Sequence, residues 1–170
     1  MLVGLPRPQT AKKVLHDLAS LGAARIIFFE AAKGDPGYLT SSLWKDGEWR
    51  EHVLKGTEQA CSTLVPEVTR VSSLAEAVAL IDAAAWKLAL DPYEATGAPE
   101  LSSPAKSAVL AIGPERGFAE SERATLRQAG VRDSDLAMLA ADAMLQQRLL
   151  VNNPREMTEA HALAIYQVAY

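Results

Sequence analysis

One stretch of the 170-residue chain has the residue types of a ligand-binding turn: Gly113-Pro114-Glu115-Arg116-Gly117-Phe118, entered directly from the apolar run Ala108–Ile112. Gly113 and Gly117 would admit positive φ and a close approach of the main chain to a bound molecule, and Pro114 would stiffen the turn between them. Backbone N–H groups at the start of the following helix would receive a ligand's polar atoms. The spacing is neither the GxGxxG dinucleotide fingerprint nor a P-loop, which needs Gly-Lys-Ser/Thr. The same residues also suit a plain strand-to-helix turn in which the glycines supply geometry alone. Metal chemistry finds no support. Cys61 is the only cysteine, and His16, His52 and His161 are scattered without ligand spacing. His16 falls on a helical pattern and reads as a packed or solvated histidine.

Charge limits the partners. Lys and Arg number 17 against 21 Asp and Glu, a net charge of −4. Phosphate neutralisation supplies much of the affinity of nucleic-acid binders, so any such contact here requires a local basic patch. Arg7, Lys12, Lys13 and Arg25 cluster in the sequence and could form one; a solvated helix face accounts for them equally well.

The loop needs elements to hold it, and the chain alternates strand with helix. Leu2–Leu5 predicts a strand closed by Pro6-Arg7-Pro8. Thr10 is placed to cap a helix over Ala11–Leu21, which presents Val14, Leu15, Leu18 and Leu21 on one face and stops at Gly22. Arg25–Glu30 is a continuous apolar run of the kind covered on both faces of a sheet. Gly34-Asp35-Pro36-Gly37 opens a long loop to about Lys45. Glu48–Cys61 predicts a helix, and Val68–Val71 a strand. Ser73-Leu74-Ala75-Glu76 is a capping box for a helix to about Ala85, followed by a strand at Trp86–Leu90. Pro92–Lys106 has the composition of a flexible surface loop. Beyond the glycine loop come a helix at Ala119–Ala129, a cap at Asp133-Ser134-Asp135 for a helix over Leu136–Leu150, a break at Asn152-Asn153-Pro154, and a last helix at Thr158–Tyr170. This order predicts an α/β fold with a mainly parallel sheet flanked by helices.

With 49% apolar and 22% charged residues the composition is globular, and residues 1–170 are expected to form a single domain. The longest apolar runs, such as Leu136–Ala141, fall far short of the ~18 residues of a membrane span. No secretory signal is expected, because Pro6 and Arg7 follow the first apolar run instead of a basic segment preceding it. With one cysteine and no signal, a reducing cytoplasm is the expected location.

Val109–Phe118 resembles the glycine loop of the SPOUT-class RNA methyltransferases, specifically the 16S rRNA uracil-N3 methyltransferase family, whose loop reads Gly-Pro-Glu-Gly/Arg-Gly followed by an aromatic. The likeness extends to Leu2-Val-Gly-Leu-Pro-Arg-Pro8 with the helix up to Gly22. It continues through Gly56-Thr-Glu-Gln-Ala60 and Leu64 to Val68, in family order. The resemblance implies a trefoil-knotted SPOUT-type α/β domain, S-adenosylmethionine as methyl donor, a homodimer whose knots meet, and small-subunit rRNA as substrate. It makes Ile112, Gly113, Pro114, Glu115 and Gly117 cofactor-binding residues.

Two departures stand out. The PUA-like barrel that precedes the family's catalytic domain is not expected within residues 1–170, where the likeness to the catalytic domain starts at Leu2. The family's Leu-Gly-x-Arg-Ile/Val-Leu-Arg-x-Glu-Thr-Ala segment has only a loose counterpart in Asn153-Pro-Arg-Glu-Met-Thr-Glu-Ala160. On that alignment Asn153 joins the cofactor site, and Arg155 and Glu159 join Arg116 as catalytic residues. Methylating uracil at N3 requires removal of the N3 proton, in-line geometry and stabilisation of charge on the ring. Arg116 is the first candidate for the last task and Arg155 the second; Glu115 and Glu159 are the candidate bases. Glu115 and Arg116 serve equally well as braces of the loop. The acidic balance, the missing barrel and the loose segment support a rival, a non-catalytic knotted dimer that binds RNA or protein; the intact Gly113–Phe118 loop supports the enzyme.

Overall fold

A computed structural model describes residues 1–91, 106–130, 132–134 and 158. Six parallel strands form one sheet in the order β3-β2-β1-β5-β4-β6. The strands are β1 (Leu2–Gly4), β2 (Arg25–Phe29), β3 (Glu67–Val71), β4 (Trp86–Leu90), β5 (Ala108–Ile112) and β6 (Arg132–Ser134). The helices are α1 (Pro8–Ser20), α2 (Ser42–Lys45), α3 (Trp49–Gln59), α4 (Leu74–Ala79) and α5 (Glu120–Gln128).

Both faces of the sheet are covered, which explains why β2 is apolar throughout. Ile26 and Phe28 face a core with Leu15 of α1, Leu43 and Trp44 of α2, and Val53 of α3. Ile27 and Phe29 face the other core, with Leu74 of α4, Phe118 and Leu126 of α5. Alternate residues of one strand thus serve two layers. The strand order reverses between β1 and β5. A crevice opens at the carboxyl ends of strands at such a switch point.

Helices α1 and α3 approach so closely that a Cβ on Gly56 would lie 2.1 Å from the His16 carbonyl oxygen. Gly56 is therefore a packing residue. His16 is not part of a site; its Nδ1 sits 2.9 Å from Asp17 on the helix surface.

Several sequence expectations are corrected. Arg7, not Thr10, caps α1, because Pro8 can occupy the first helical position, where no N–H is needed. The Gly22 stop stands, with φ +77° and the Ala23 N–H on the Leu18 carbonyl. The loop expected up to Lys45 contains a 3₁₀ turn at Pro36–Thr40 and then α2, which buries Leu43 and Trp44. Helix α4 ends at Ala79; the Asp82 carboxylate accepts the Ala84 N–H and turns the chain before Ala85. Asp133 and Ser134 of the expected cap are strand residues, and Asp135 lies outside the described residues. The two strand residues belong to β6, paired with Ala89 and Leu90 on the outer edge of the sheet. The loop expected over Pro92–Lys106 and the helices expected over Leu136–Leu150 and Thr158–Tyr170 lie outside the described residues.

Candidate active site

Strand β5 lies between β1 and β4 and delivers the glycine loop to the carboxyl edge beside the switch point. The loop is fixed first by a contact between backbones. Pro114 is buried and seated on Gly4, where a Cβ would lie 2.6 Å from both the Pro114 nitrogen and its Cδ. The Gly117 N–H donates to the Pro114 carbonyl at 2.8 Å, closing a tight turn with Glu115 and Arg116 at its exposed corner. Gly117 has φ +67°, as its position requires. Gly113 does not have positive φ. Its need for glycine is steric, since a Cβ there would press to 3.1–3.3 Å against the backbone of Gly117 and Phe118. Phe118 then anchors the loop, fully buried and stacked on Phe29 with ring centroids 6.4 Å apart.

Long-range polar contacts complete the clamp. Lys33, in the segment after β2, donates through Nζ to the Phe118 carbonyl at 3.0 Å and the Arg116 carbonyl at 3.4 Å. Glu122 is buried in the first turn of α5 and accepts both the Ala119 N–H (2.7 Å) and the Ala32 N–H (3.0 Å). At the start of α5 the Ala119 N–H is therefore not available to a ligand. The first turn of α5 carries Glu120 and Glu122, and the helix's own carboxylate takes the Ala119 N–H. At the residue after Glu122, the Arg123 guanidinium forms a buried ion pair with Asp91, just after β4, tying α5 to that strand.

The two charged residues at the corner divide in role. Glu115 accepts the Arg7 N–H at 3.1 Å and lies 4.0 Å from the Arg7 Nε, so it braces the loop against the segment after β1. Arg116 makes no side-chain hydrogen bond among the described residues and lines an open cleft of about 660 Å³ with Arg7, Lys33, Asp35 and Tyr38. Pockets for small molecules commonly have such volumes.

The basic residues that cluster in sequence do not cluster in space. Arg7 is at the carboxyl edge, and Lys12 pairs with Glu48. Arg25 begins β2 at the opposite edge, where it binds Glu67 and the Leu80 carbonyl. Lys33, Glu122 and the Asp91–Arg123 pair were not found by sequence reasoning, because each acts on a partner 32 to 90 residues away. Gly4 carried a signal, a glycine interrupting an apolar strand, which marks close approach of another backbone.

An open parallel sheet with a clamped glycine loop at its switch point defines a ligand-binding α/β domain. The chain belongs to the RNA methyltransferase domain family, whose model matches residues 1–138. Among curated proteins it is 30% identical over 130 residues to ribosomal RNA small subunit methyltransferase E 1 of Borreliella burgdorferi, covering 75% of this chain and 54% of that protein. It is 33% identical over 144 residues to ribosomal RNA small subunit methyltransferase E of Treponema pallidum, covering 80% of this chain and 53% of that one. The chain thus spans about half the length of the curated relatives it matches.

The fold is shared with a Neisseria gonorrhoeae ribosomal RNA small subunit methyltransferase E solved bound to S-adenosyl methionine. The TM-score is 0.69 at 20% identity, covering 98% of this chain and 63% of that one. It is shared too with a Legionella pneumophila methyltransferase in complex with the bound cofactor SAM, at TM-score 0.64 and 20% identity, covering 99% and 65%. Asn153, Arg155 and Glu159 lie outside the described residues and beyond the stretch that the family model matches.

Proposed function

We propose that the chain is an S-adenosylmethionine-dependent RNA methyltransferase that modifies N3 of a uridine in small-subunit rRNA. The observation that carries this reading is the clamped Gly113–Phe118 loop at the switch point, in a chain of the RNA methyltransferase domain family. The reading includes a single domain over 1–170 working in the cytoplasm as a homodimer, with Ile112, Gly113, Pro114, Glu115, Gly117 and Asn153 at the cofactor. The loop fits such a group. Ile112, Gly113 and Gly117 are half-buried at the end of β5, and the two glycines present main chain without a bulky side chain to a bound group.

When bound, S-adenosylmethionine supplies an electrophilic methyl group on a sulfonium. The chain's own residues do the rest. Pro114 on Gly4, Lys33 on the loop carbonyls and Glu115 on the Arg7 amide hold the loop rigid, as positioning for in-line transfer demands. Arg116 stabilises the negative charge that develops on the uracil ring. Because Glu115 is engaged in bracing, Glu159 is the remaining candidate to take the N3 proton, with Arg155 as a second cation.

The test is methyl transfer from labelled S-adenosylmethionine to small-subunit rRNA, with the product nucleoside identified. Wild type should yield N3-methyluridine. Arg116→Ala should lose about 10²–10³-fold in rate at an unchanged melting temperature. Binding of S-adenosylhomocysteine without transfer to any RNA would overturn the catalytic reading in favour of the non-catalytic dimer.

A further inference from the structure

In the cleft beside Arg116, cations and carboxylates nearly balance: Arg7, Lys33 and Arg116 against Asp35 and Glu115. Most of them act on the chain itself. Lys33 donates to the Phe118 and Arg116 carbonyls, and Glu115 accepts the Arg7 N–H. Asp35 accepts the Gly37 N–H at 2.8 Å, and the Arg7 Nε donates to the Thr10 hydroxyl at 3.1 Å. Two side chains of the cleft have no such task. The Arg116 guanidinium and the Tyr38 hydroxyl make no hydrogen bond among the described residues.

Tyr38 is nevertheless firmly placed. It sits inside the 3₁₀ turn Pro36–Thr40, which Asp35 caps. The Tyr38 N–H donates to the Asp35 carbonyl at 3.1 Å, and the Tyr38 carbonyl accepts the Ser41 hydroxyl at 2.8 Å. Helix α2 follows at once and buries Leu43 and Trp44. The half-buried Tyr38 packs against that same core, which restricts its ring. A phenol fixed by packing and bonded to nothing is a prepared hydrogen-bond donor at neutral pH.

One free cation and one free phenol suit a neutral ring that becomes an anion as it reacts. Removing the N3 proton of uracil spreads the charge over N3 and the two carbonyl oxygens beside it. We propose that Tyr38 is a catalytic residue whose hydroxyl donates to one of those oxygens while Arg116 serves the other. In the step, the N3 electron pair forms the bond to the methyl carbon, and the carbon–sulfur bond breaks with its pair going to sulfur. The N3 proton passes to a carboxylate base, and the Tyr38 proton stays on its own oxygen. A hydrogen bond to an ionised oxygen is roughly twice as strong as one to a neutral oxygen, so the contact tightens as charge develops. The proposal rests on the methyltransferase reading and deepens it by adding a residue from the segment after β2.

Tyr38→Phe keeps the ring in the core and removes only the oxygen. Methyl transfer to small-subunit rRNA should fall about 10²-fold in kcat, with KM and melting temperature unchanged. S-adenosylhomocysteine affinity, read by calorimetry, should also stay at the wild-type value. A binding measurement stands beside the rate. A short single-stranded RNA carrying one 5-fluorouridine, bound to the S-adenosylhomocysteine-loaded protein, reports ionisation of N3 through its fluorine NMR shift. Wild type should lower the N3 pKa of the bound probe, and Tyr38→Phe should return about one pH unit of that lowering. Wild-type kcat and wild-type probe pKa in Tyr38→Phe overturn the proposal and leave the methyltransferase reading standing. A wild-type protein that leaves the probe at its free pKa also overturns the proposal, as does a kcat loss matched by lost S-adenosylhomocysteine affinity. A lowered probe pKa that Tyr38→Phe raises, in a protein that methylates no RNA, keeps the contact and overturns the methyltransferase reading.

Discussion

The two ends of the same sheet are built differently. At the amino-terminal edge the Met1 amine donates to the Arg25 carbonyl, and Arg25 pairs with Glu67 and the Leu80 carbonyl. Its cation is therefore paired with neighbours, although the side chain is exposed. At the carboxyl edge the polar contacts hold main chain instead: Lys33 on two carbonyls, Glu122 on two N–H groups, Glu115 on the Arg7 amide. That leaves the Arg116 guanidinium facing the cleft. A surface of similar charge can be a finished seam or a prepared site. The difference lies in whether its polar groups satisfy each other or hold backbone for something else.

The largest effect is expected at the anchor of the clamp. Asp91→Ala should destabilise the fold by about 3–5 kcal/mol, because it removes the buried carboxylate from Arg123 and leaves the exposed Glu120, at 3.4 Å, as a poorer acceptor. Denaturant unfolding checks this, and a loss under about 1 kcal/mol would show that the pair is not an anchor.

Next comes a pair of glycines that separates fold from site. Gly4→Ala and Gly56→Ala both drive a Cβ into backbone, at 2.6 Å and 2.1 Å. Each should cost about 1–3 kcal/mol. Only Gly4→Ala should also weaken S-adenosylhomocysteine binding in the folded fraction, since only Gly4 supports the loop. Equal affinity in the two variants would remove Gly4 from the site.

The smallest effect is in pH. The Ser72 hydroxyl and N–H hold the Glu76 carboxyl below its usual 4.5, so its contribution to α4 is present above that value. It should be lost as pH falls through the lowered value. In an acid titration of stability, Glu76→Gln should remove a small dependence below about pH 5, and an unchanged curve would contradict it.

Much of this was legible in sequence because local signals agreed with the fold. The apolar runs Arg25–Phe29 and Ala108–Ile112 became inner strands, and Gly113–Phe118 became the loop between strand and helix. Strand β6 was missed because Arg132-Asp133-Ser134 is three polar residues at a sheet edge, with no hydrophobic period to read. The division of labour between Glu115 and Arg116 was also hidden. Adjacent residues in a turn look alike in sequence, and only the return of Arg7, 108 residues away, makes one a brace. The same holds for the basic patch: chain proximity grouped Arg25 with Arg7, whereas parallel strands and an intervening helix put them at opposite edges.

The most direct test of the account is amide chemical-shift mapping of the folded chain during titration with S-adenosylhomocysteine. The account predicts that the largest changes fall on Ile112, Gly113, Gly117 and their neighbours at the carboxyl edge, with Arg25 and Glu67 unmoved. Changes centred on the amino-terminal edge, or none at saturating ligand, would contradict it.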